Sequence, residues 1–170
     1  MKISIVIPIY NEEENLPNLH KRMIVVCKSL NIDYEIIYVD DGSIDKSLDL
    51  IENFTKQDNN TYFISFYRNF GQHAAVIAGF KYSKGDVVMT LDADLQNPPE
   101  EIPKFIEKMK EDYDVVAGVR LNRKDNLLRK FLSYFMNKII SMITGVKLVD
   151  YGCMMRLYKR NIINILIRNE

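Results

Sequence analysis

VVMTLDADLQNPPEE, residues 87–101, runs from a short apolar stretch straight into two carboxylates and an amide, each separated by one residue. A buried strand ending this way brings Asp92, Asp94 and Gln96 to a single bend between sheet and loop, and all three side chains offer oxygen to a hard cation. Mg²⁺ or Mn²⁺ takes one or two protein carboxylates and completes its shell with water and phosphate oxygens, so the spacing points to a diphosphate site. An ordinary polar turn is the competing reading, because Asp favours turns on its own account.

Outward from this bend the chain alternates between two periods. Ile3 to Ile9 is a nearly continuous β-branched run, as expected for a strand buried on both faces. Leu16, Leu19, Met23, Val26, Cys27 and Leu30 then fall at helical spacing, predicting a helix over about 13–30. Residues 34–39 read as a second strand, closed by Asp40-Asp41-Gly42-Ser43. Leu48, Ile51 and Phe54 mark a helix ending in the polar run 57–60. Residues 62–67 form a third predicted strand, 72–82 a helix of small residues, and 87–91 a fourth strand. Ile102, Phe105, Ile106 and Met109 share one helical face, and 115–119 reads as a further strand. Repeated strand-helix units with short connections predict a single Rossmann-like α/β domain with a mostly parallel central sheet flanked by helices. Ligands of such sheets bind outside the carboxyl ends of the strands. Asn11-Glu12, Asp40 to Ser43, Arg68-Asn69 and Asp92 to Asp94 each follow a strand and are expected to converge on that edge.

Composition limits the partners. With 23 basic and 23 acidic side chains in 170 residues, no net field favours nucleic acid. Cys27 and Cys153 lack metal-ligand spacing and are expected to be core thiols in a reducing compartment. The early apolar run contains Pro8 and leads into acidic residues, unlike a cleavable signal. No stretch approaches the roughly 18 apolar residues of a membrane-spanning helix.

VIPIYNE (6–12), VDDGS (39–43), RNFGQHAAVIAGF (68–80), LDADLQNPPEEIP (91–103), GVR (118–120) and DYGCMMRLYKR (150–160) together resemble the inverting nucleotide-sugar glycosyltransferases of family two. Within that family they are most similar to the branch that charges polyprenyl phosphates. GQHAA and DYGCM draw the chain nearest to the members that act on undecaprenyl phosphate in lipid A modification with a UDP-linked formamido-arabinose donor. The resemblance implies that Pro8, Tyr10, Glu12, Asp41 and Asp92 hold the nucleotide, and that Asp92, Asp94 and Gln96 hold Mg²⁺ or Mn²⁺. It implies that Arg120, Arg129 and Ser133 grip the acceptor phosphate, a task that suits the fixed fork of a guanidinium. Arg156 is assigned to the donor diphosphate, and Asp94, Arg120 and Asp150 to catalysis. Asp150 either closes over the donor or serves as a base. Tyr158, Lys159 and Arg160 either add charge near the diphosphate or lie on the surface. His73 is expected to be structural, packed beside Ala74 and Ala75, while Gly71 and Gly79 suit close backbone approach.

On this reading residues 1–120 form the nucleotide- and metal-binding core and 121–170 the acceptor side. Residues 127–143 carry a broad apolar face rimmed by Lys124, Arg129, Lys130 and Lys138, a pattern that serves a membrane interface or a buried core equally well. Relatives in the branch continue into C-terminal membrane helices, whereas this chain stops at Glu170. The expectation is a peripheral protein on the cytoplasmic face of the bacterial inner membrane. Its expected partners are a UDP-sugar, a polyprenyl phosphate, the membrane surface and other copies of itself in a homo-oligomer. Glucose, mannose or N-acetylglucosamine donors remain open, as does a non-catalytic nucleotide-binding remnant. A nucleotidyltransferase lacks support, because the glycine-rich phosphate loop it needs after the first strand is missing.

Overall fold

The computed structural model describes residues 1–119 and 153–169. Its elements in chain order are β1 (Lys2–Ile9), α1 (Leu16–Ser29), β2 (Asp33–Asp40), α2 (Ser47–Gln57), β3 (Thr61–Ser65), α3 (Gln72–Tyr82) and β4 (Val87–Thr90). A 3-10 turn at Pro99–Glu101 leads into α4 (Ile102–Met109), followed by β5 (Val115–Ala117), β6 (Arg156–Lys159) and α5 (Arg160–Arg168). The described strands form one sheet in the order β3-β2-β1-β4-β6-β5. β1 to β4 are mutually parallel, and β6 enters antiparallel between β4 and β5. The expected α/β domain with a mostly parallel sheet is therefore the observed one.

β1 shows why a continuous apolar strand needs two covered faces. Its odd residues, Ile3, Ile5, Ile7 and Ile9, join Leu16, Leu19 and Met23 of α1 in one cluster. On the other face Val6 joins Ala75, Val76 and Phe80 of α3. Full burial of each such side chain contributes about 1.5–3 kcal/mol. Ser4 is the buried polar residue of β1. Its hydroxyl donates to Glu35 at 2.6 Å and accepts from the Gly85 amide at 2.7 Å.

Several expected boundaries shift for identifiable reasons. α1 starts at Leu16 rather than near 13, because the Glu12 carbonyl accepts the amides of Asn15 and Leu16 in a preceding turn and Pro17 suits the first helical turn. β3 stops at Ser65, since the chain then turns away and leaves Tyr67 83% exposed. β4 and β5 end one and two residues early, at Thr90 and Ala117. β6 and α5 were not anticipated, although Cys153, Met155 and Leu157 are buried in alternation, the period of a half-covered strand. Both cysteines are buried as expected, and burial pushes the Cys27 thiol up to about 12.

Candidate functional site

The sheet order creates the site. From β1 the chain moves outward through β2 to β3, then returns to place β4 on the other side of β1, so the crevice opens at the carboxyl ends of β1 and β4. Val6 pairs with Thr90 in the last registered position, and the Val6 carbonyl accepts the Leu91 amide at 3.1 Å. Beyond that point β1 continues beside β2 alone. Pro8 sits in this one-sided extension, where its missing N–H deprives no β4 residue of a partner. The resulting cavity is about 400 Å³ and is lined by Pro8, Ile9, Tyr10, Glu12, Asp41, Asn69, Gly71, Gln72, Asp92, Ala93 and Asp94.

The loops after β1 and β2 are stitched into one wall. The Asn11 amide donates to Ser43 Oγ at 3.0 Å, and Asn11 Oδ1 accepts the Ile44 amide at 2.9 Å. The Glu12 amide donates to Ser47 Oγ at 2.8 Å, and Glu13 Oε2 accepts the Lys46 amide at 2.9 Å. Glu12 Oε2 accepts Asn15 Nδ2 at 2.7 Å, which fixes the carboxylate beside the cavity. Tyr10 lines the cavity and is 46% exposed there. The two aspartates ending β2 divide their work. Both are buried: Asp40 accepts the Ser43 amide and the Ser65 hydroxyl, while Asp41 lines the cavity and receives the amides of Phe70 and Gly71 at 2.7 and 2.9 Å.

The acidic bend supplies the opposite wall. Asp92 Oδ1 accepts Gln72 Nε2 at 2.9 Å, and Asp94 Oδ1 accepts the Gln96 amide at 3.0 Å in an Asx turn. Between them Leu95 adopts φ 61°, a left-handed conformation that costs a leucine about 1–2 kcal/mol. Its side chain packs on the core, Ala93 and Asn97 are buried, and Arg22 Nε and Nη2 hold the Glu100 carboxylate at 2.8 and 2.5 Å. These contacts keep the strained turn in place. Among the described residues no three His, Cys, Asp or Glu side chains gather into a metal-binding group. Two carboxylates facing one cavity nevertheless suit Mg²⁺ or Mn²⁺, which fills most of its shell with water and phosphate oxygens.

The sequence-expected residues divide into four groups. Pro8, Tyr10, Glu12, Asp41, Asp92 and Asp94 share the cavity. Gln96 is exposed and absent from its lining; only its backbone serves the bend in the contact described above. Arg156 lies opposite Thr90 at the same end of the sheet, half-buried, with Nε donating to the Cys153 carbonyl at 2.9 Å. Arg120, Arg129, Ser133 and Asp150 lie outside the described residues, as does the apolar face at 127–143.

Lys159 and Arg160 occupy the far end of the sheet, because β6 runs antiparallel to β4. Lys159 pairs with Asp112 and Asp114 at 2.8 and 3.3 Å, while Arg160 holds the Gly85 carbonyl and Ser83. Tyr158 packs edge-on against Phe80. His73 is exposed rather than packed, since it faces outward from the first turn of α3. Gly71 departs from its expected use. A Cβ there would meet nothing within 4 Å, and its need for glycine comes from φ 95°. Asn69, expected at this edge with Arg68, lines the cavity, whereas Gln72, the first residue of α3, was missed as a lining residue.

The chain matches the family described as "Glycosyl transferase family 2" over residues 4–166. It is 51% identical over 166 residues to an undecaprenyl-phosphate 4-deoxy-4-formamido-L-arabinose transferase of Pseudomonas fluorescens, covering 97% of this chain and 49% of that protein. A protein of the same description from Proteus mirabilis is 50% identical over 168 residues, with 98% and 52% covered. The chain thus spans about half the length of the curated relatives it matches. The fold is shared with glucosyl-3-phosphoglycerate synthase of Mycobacterium tuberculosis in complex with UDP, at TM-score 0.70 and 19% identity, covering 94% of this chain and 57% of that one. It is shared also with the mannosyltransferase PcManGT of Pyrobaculum calidifontis in complex with GDP-Man and Mn²⁺, at TM-score 0.65 and 14% identity, covering 96% and 46%. Among the described residues no helix is long and apolar enough to cross a membrane.

Proposed function

The chain belongs to glycosyl transferase family 2, and from that premise we propose that it transfers 4-deoxy-4-formamido-L-arabinose from UDP to undecaprenyl phosphate, with inversion. The reading is carried by the crevice at the carboxyl ends of β1 and β4, where Pro8, Tyr10, Glu12 and Asp41 stand on one side and Asp92 and Asp94 on the other. The formamido-arabinose donor and the lipid acceptor rest on the half-identity to proteins so described. The setting that follows is lipid A modification at the cytoplasmic face of a bacterial inner membrane.

In this proposal Tyr10 stacks on the uracil, and Glu12 and Asp41 accept hydrogen bonds from base and ribose. The acceptor phosphate oxygen attacks the anomeric carbon as the bond from that carbon to the UDP oxygen breaks, and the bonding pair leaves with UDP. A phosphate monoester, with a second pKa of about 6, is already anionic at neutral pH, so no proton has to be removed. Held by Asp94 and Asp92, with Gln96 the third expected donor, Mg²⁺ or Mn²⁺ would neutralise charge building on the departing diphosphate. Arg120, Arg129 and Ser133 are assigned to the acceptor phosphate, Arg156 to the donor diphosphate, and Asp150 to closure over the donor.

The test supplies undecaprenyl phosphate, Mg²⁺ and a panel of UDP-sugars, and analyses the organic phase by mass spectrometry. A lipid gaining the mass of one formamido-arabinose residue is expected. A hexose adduct would replace the donor assignment. UDP binding without any lipid product would favour a non-catalytic nucleotide-binding protein.

A further inference from the structure

The side chain of Gln72 is the part of the crevice with a defined contact and no assigned task. It is the first residue of α3, directly after Gly71, and it lies between the two walls of the cavity. Its backbone anchor is unusually firm. Asp41, at the end of β2, receives the amides of both Phe70 and Gly71, and the glycine at φ 95° then turns the chain so that Gln72 opens the helix. From there Nε2 reaches Asp92 Oδ1, beyond the end of β4. Because β1 separates β2 from β4 in the sheet, the path Asp41–Gly71–Gln72–Asp92 arches over the carboxyl end of β1 and joins both walls.

We propose that Gln72 is a positioning residue that orients the Asp92 carboxylate for a metal-bound nucleoside diphosphate, acting through its side-chain amide. This rests on the reading of the crevice given above. The chemistry favours an amide in this role. Gln72 donates through nitrogen, so it fixes one carboxylate oxygen without adding a charge that would compete with a cation. A lysine there would neutralise Asp92, and a glutamate would repel it in the absence of metal. Residues that orient metal-binding carboxylates by hydrogen bonds typically change metal affinity by about 10- to 100-fold when removed.

Gln72→Met preserves length and helix propensity while deleting the donor. The experiment measures Mn²⁺ binding by electron paramagnetic resonance in the presence of UDP, UDP binding by calorimetry without metal, and thermal stability. The expected result is at least a tenfold weaker Mn²⁺ affinity, metal-free UDP binding within twofold of wild type, and an unchanged melting temperature. Unchanged Mn²⁺ affinity in the variant, with the wild type binding Mn²⁺ and UDP together, would overturn the role of Gln72 and leave the crevice reading intact. Equal losses of UDP binding with and without metal would also overturn it, since they mark a direct ligand contact or a structural role. A wild type that shows no linkage between Mn²⁺ and UDP would refute the underlying crevice reading itself.

Discussion

A methyl group at Gly79 would stand 2.2 Å from Cγ1 of Val6, so α3 lies against β1 at a distance that only glycine permits. Both residues belong to the same buried layer behind the crevice, with Val6 fully buried. Gly79→Ala should therefore destabilise the protein despite a helix-propensity gain of about 1 kcal/mol, because overpacking costs about 1–3 kcal/mol and the contact is with a β-branched core side chain. Thermal melts of Gly79→Ala, Val6→Ala and the double variant form a cycle. The two losses should be less than additive, since Val6→Ala removes the clashing methyl. A single Gly79→Ala variant as stable as wild type would contradict the close approach.

Asp41 supports the site through backbone. Replacing it with Asn leaves one acceptor oxygen and turns an NH₂ toward one of two amide donors, so the Phe70 and Gly71 N–H groups cannot both be satisfied. Hydrogen bonds to charged groups contribute about 1.5–3 kcal/mol. Asp41→Asn should accelerate hydrogen exchange at Phe70 and Gly71 and weaken UDP binding by about tenfold or more. Exchange at these two amides equal to wild type would show that the contact does not hold the loop.

Asp94 is the sharper test of the metal assignment. Asp94→Asn keeps an oxygen able to accept the Gln96 amide, so the Asx turn survives while the charge is lost. The Mg²⁺-dependent part of UDP affinity should fall by more than about 100-fold, beyond what a supporting residue usually causes. Calorimetry with and without Mg²⁺ separates the two parts. Full retention of the metal-dependent part would remove Asp94 from the metal set.

Acid sensitivity should arise in two windows. Burial lowers the His20 pKa from its ordinary value of 6.5, against a smaller opposing pull from Asp58. The ring stacks on Phe54 at 4.0 Å, and Nδ1 lies 3.0 Å from the Tyr38 hydroxyl. Below pH 6.5 the unfolded chain binds a proton that folded His20 resists, so stability declines as pH falls from 6.5 toward the lower folded value. For Glu35, burial raises the pKa, but hydrogen bonds from Lys2, Ser4 and the Lys84 amide outweigh it, and the net shift from 4.5 is downward. Its contribution is complete above pH 4.5 and is lost as pH falls through the folded value. Urea unfolding between pH 7.5 and 5.5 should show a slope that His20→Gln flattens. Equal slopes in both proteins would assign the first window elsewhere.

Local chemistry in the sequence announced much of this protein. The β-branched run at Ile3–Ile9 had to be buried on both faces, and the helical spacing of Leu16, Leu19 and Met23 supplied one of the covers. The polar strand ends at Glu12, Asp41, Asp92 and Asp94 could be expected at one edge, because parallel strands share a carboxyl end. β6 was harder to find. Its four residues depend on β4 and β5 for their hydrogen bonds, and short strands carry little signal of their own.

What the sequence determined by itself was the alternation of strand and helix and the type of donor at each strand end, since both follow from side-chain period and turn chemistry within a few residues. Only the tertiary structure decided that Asp41 receives the Phe70 and Gly71 amides and that Gln72 meets Asp92 from another element. It also decided that Lys159 and Arg160 stand at the opposite end of the sheet. Those outcomes depend on strand order, strand direction and the close packing of α3 on β1. Each is set by contacts between residues far apart in the chain, which no local spacing encodes.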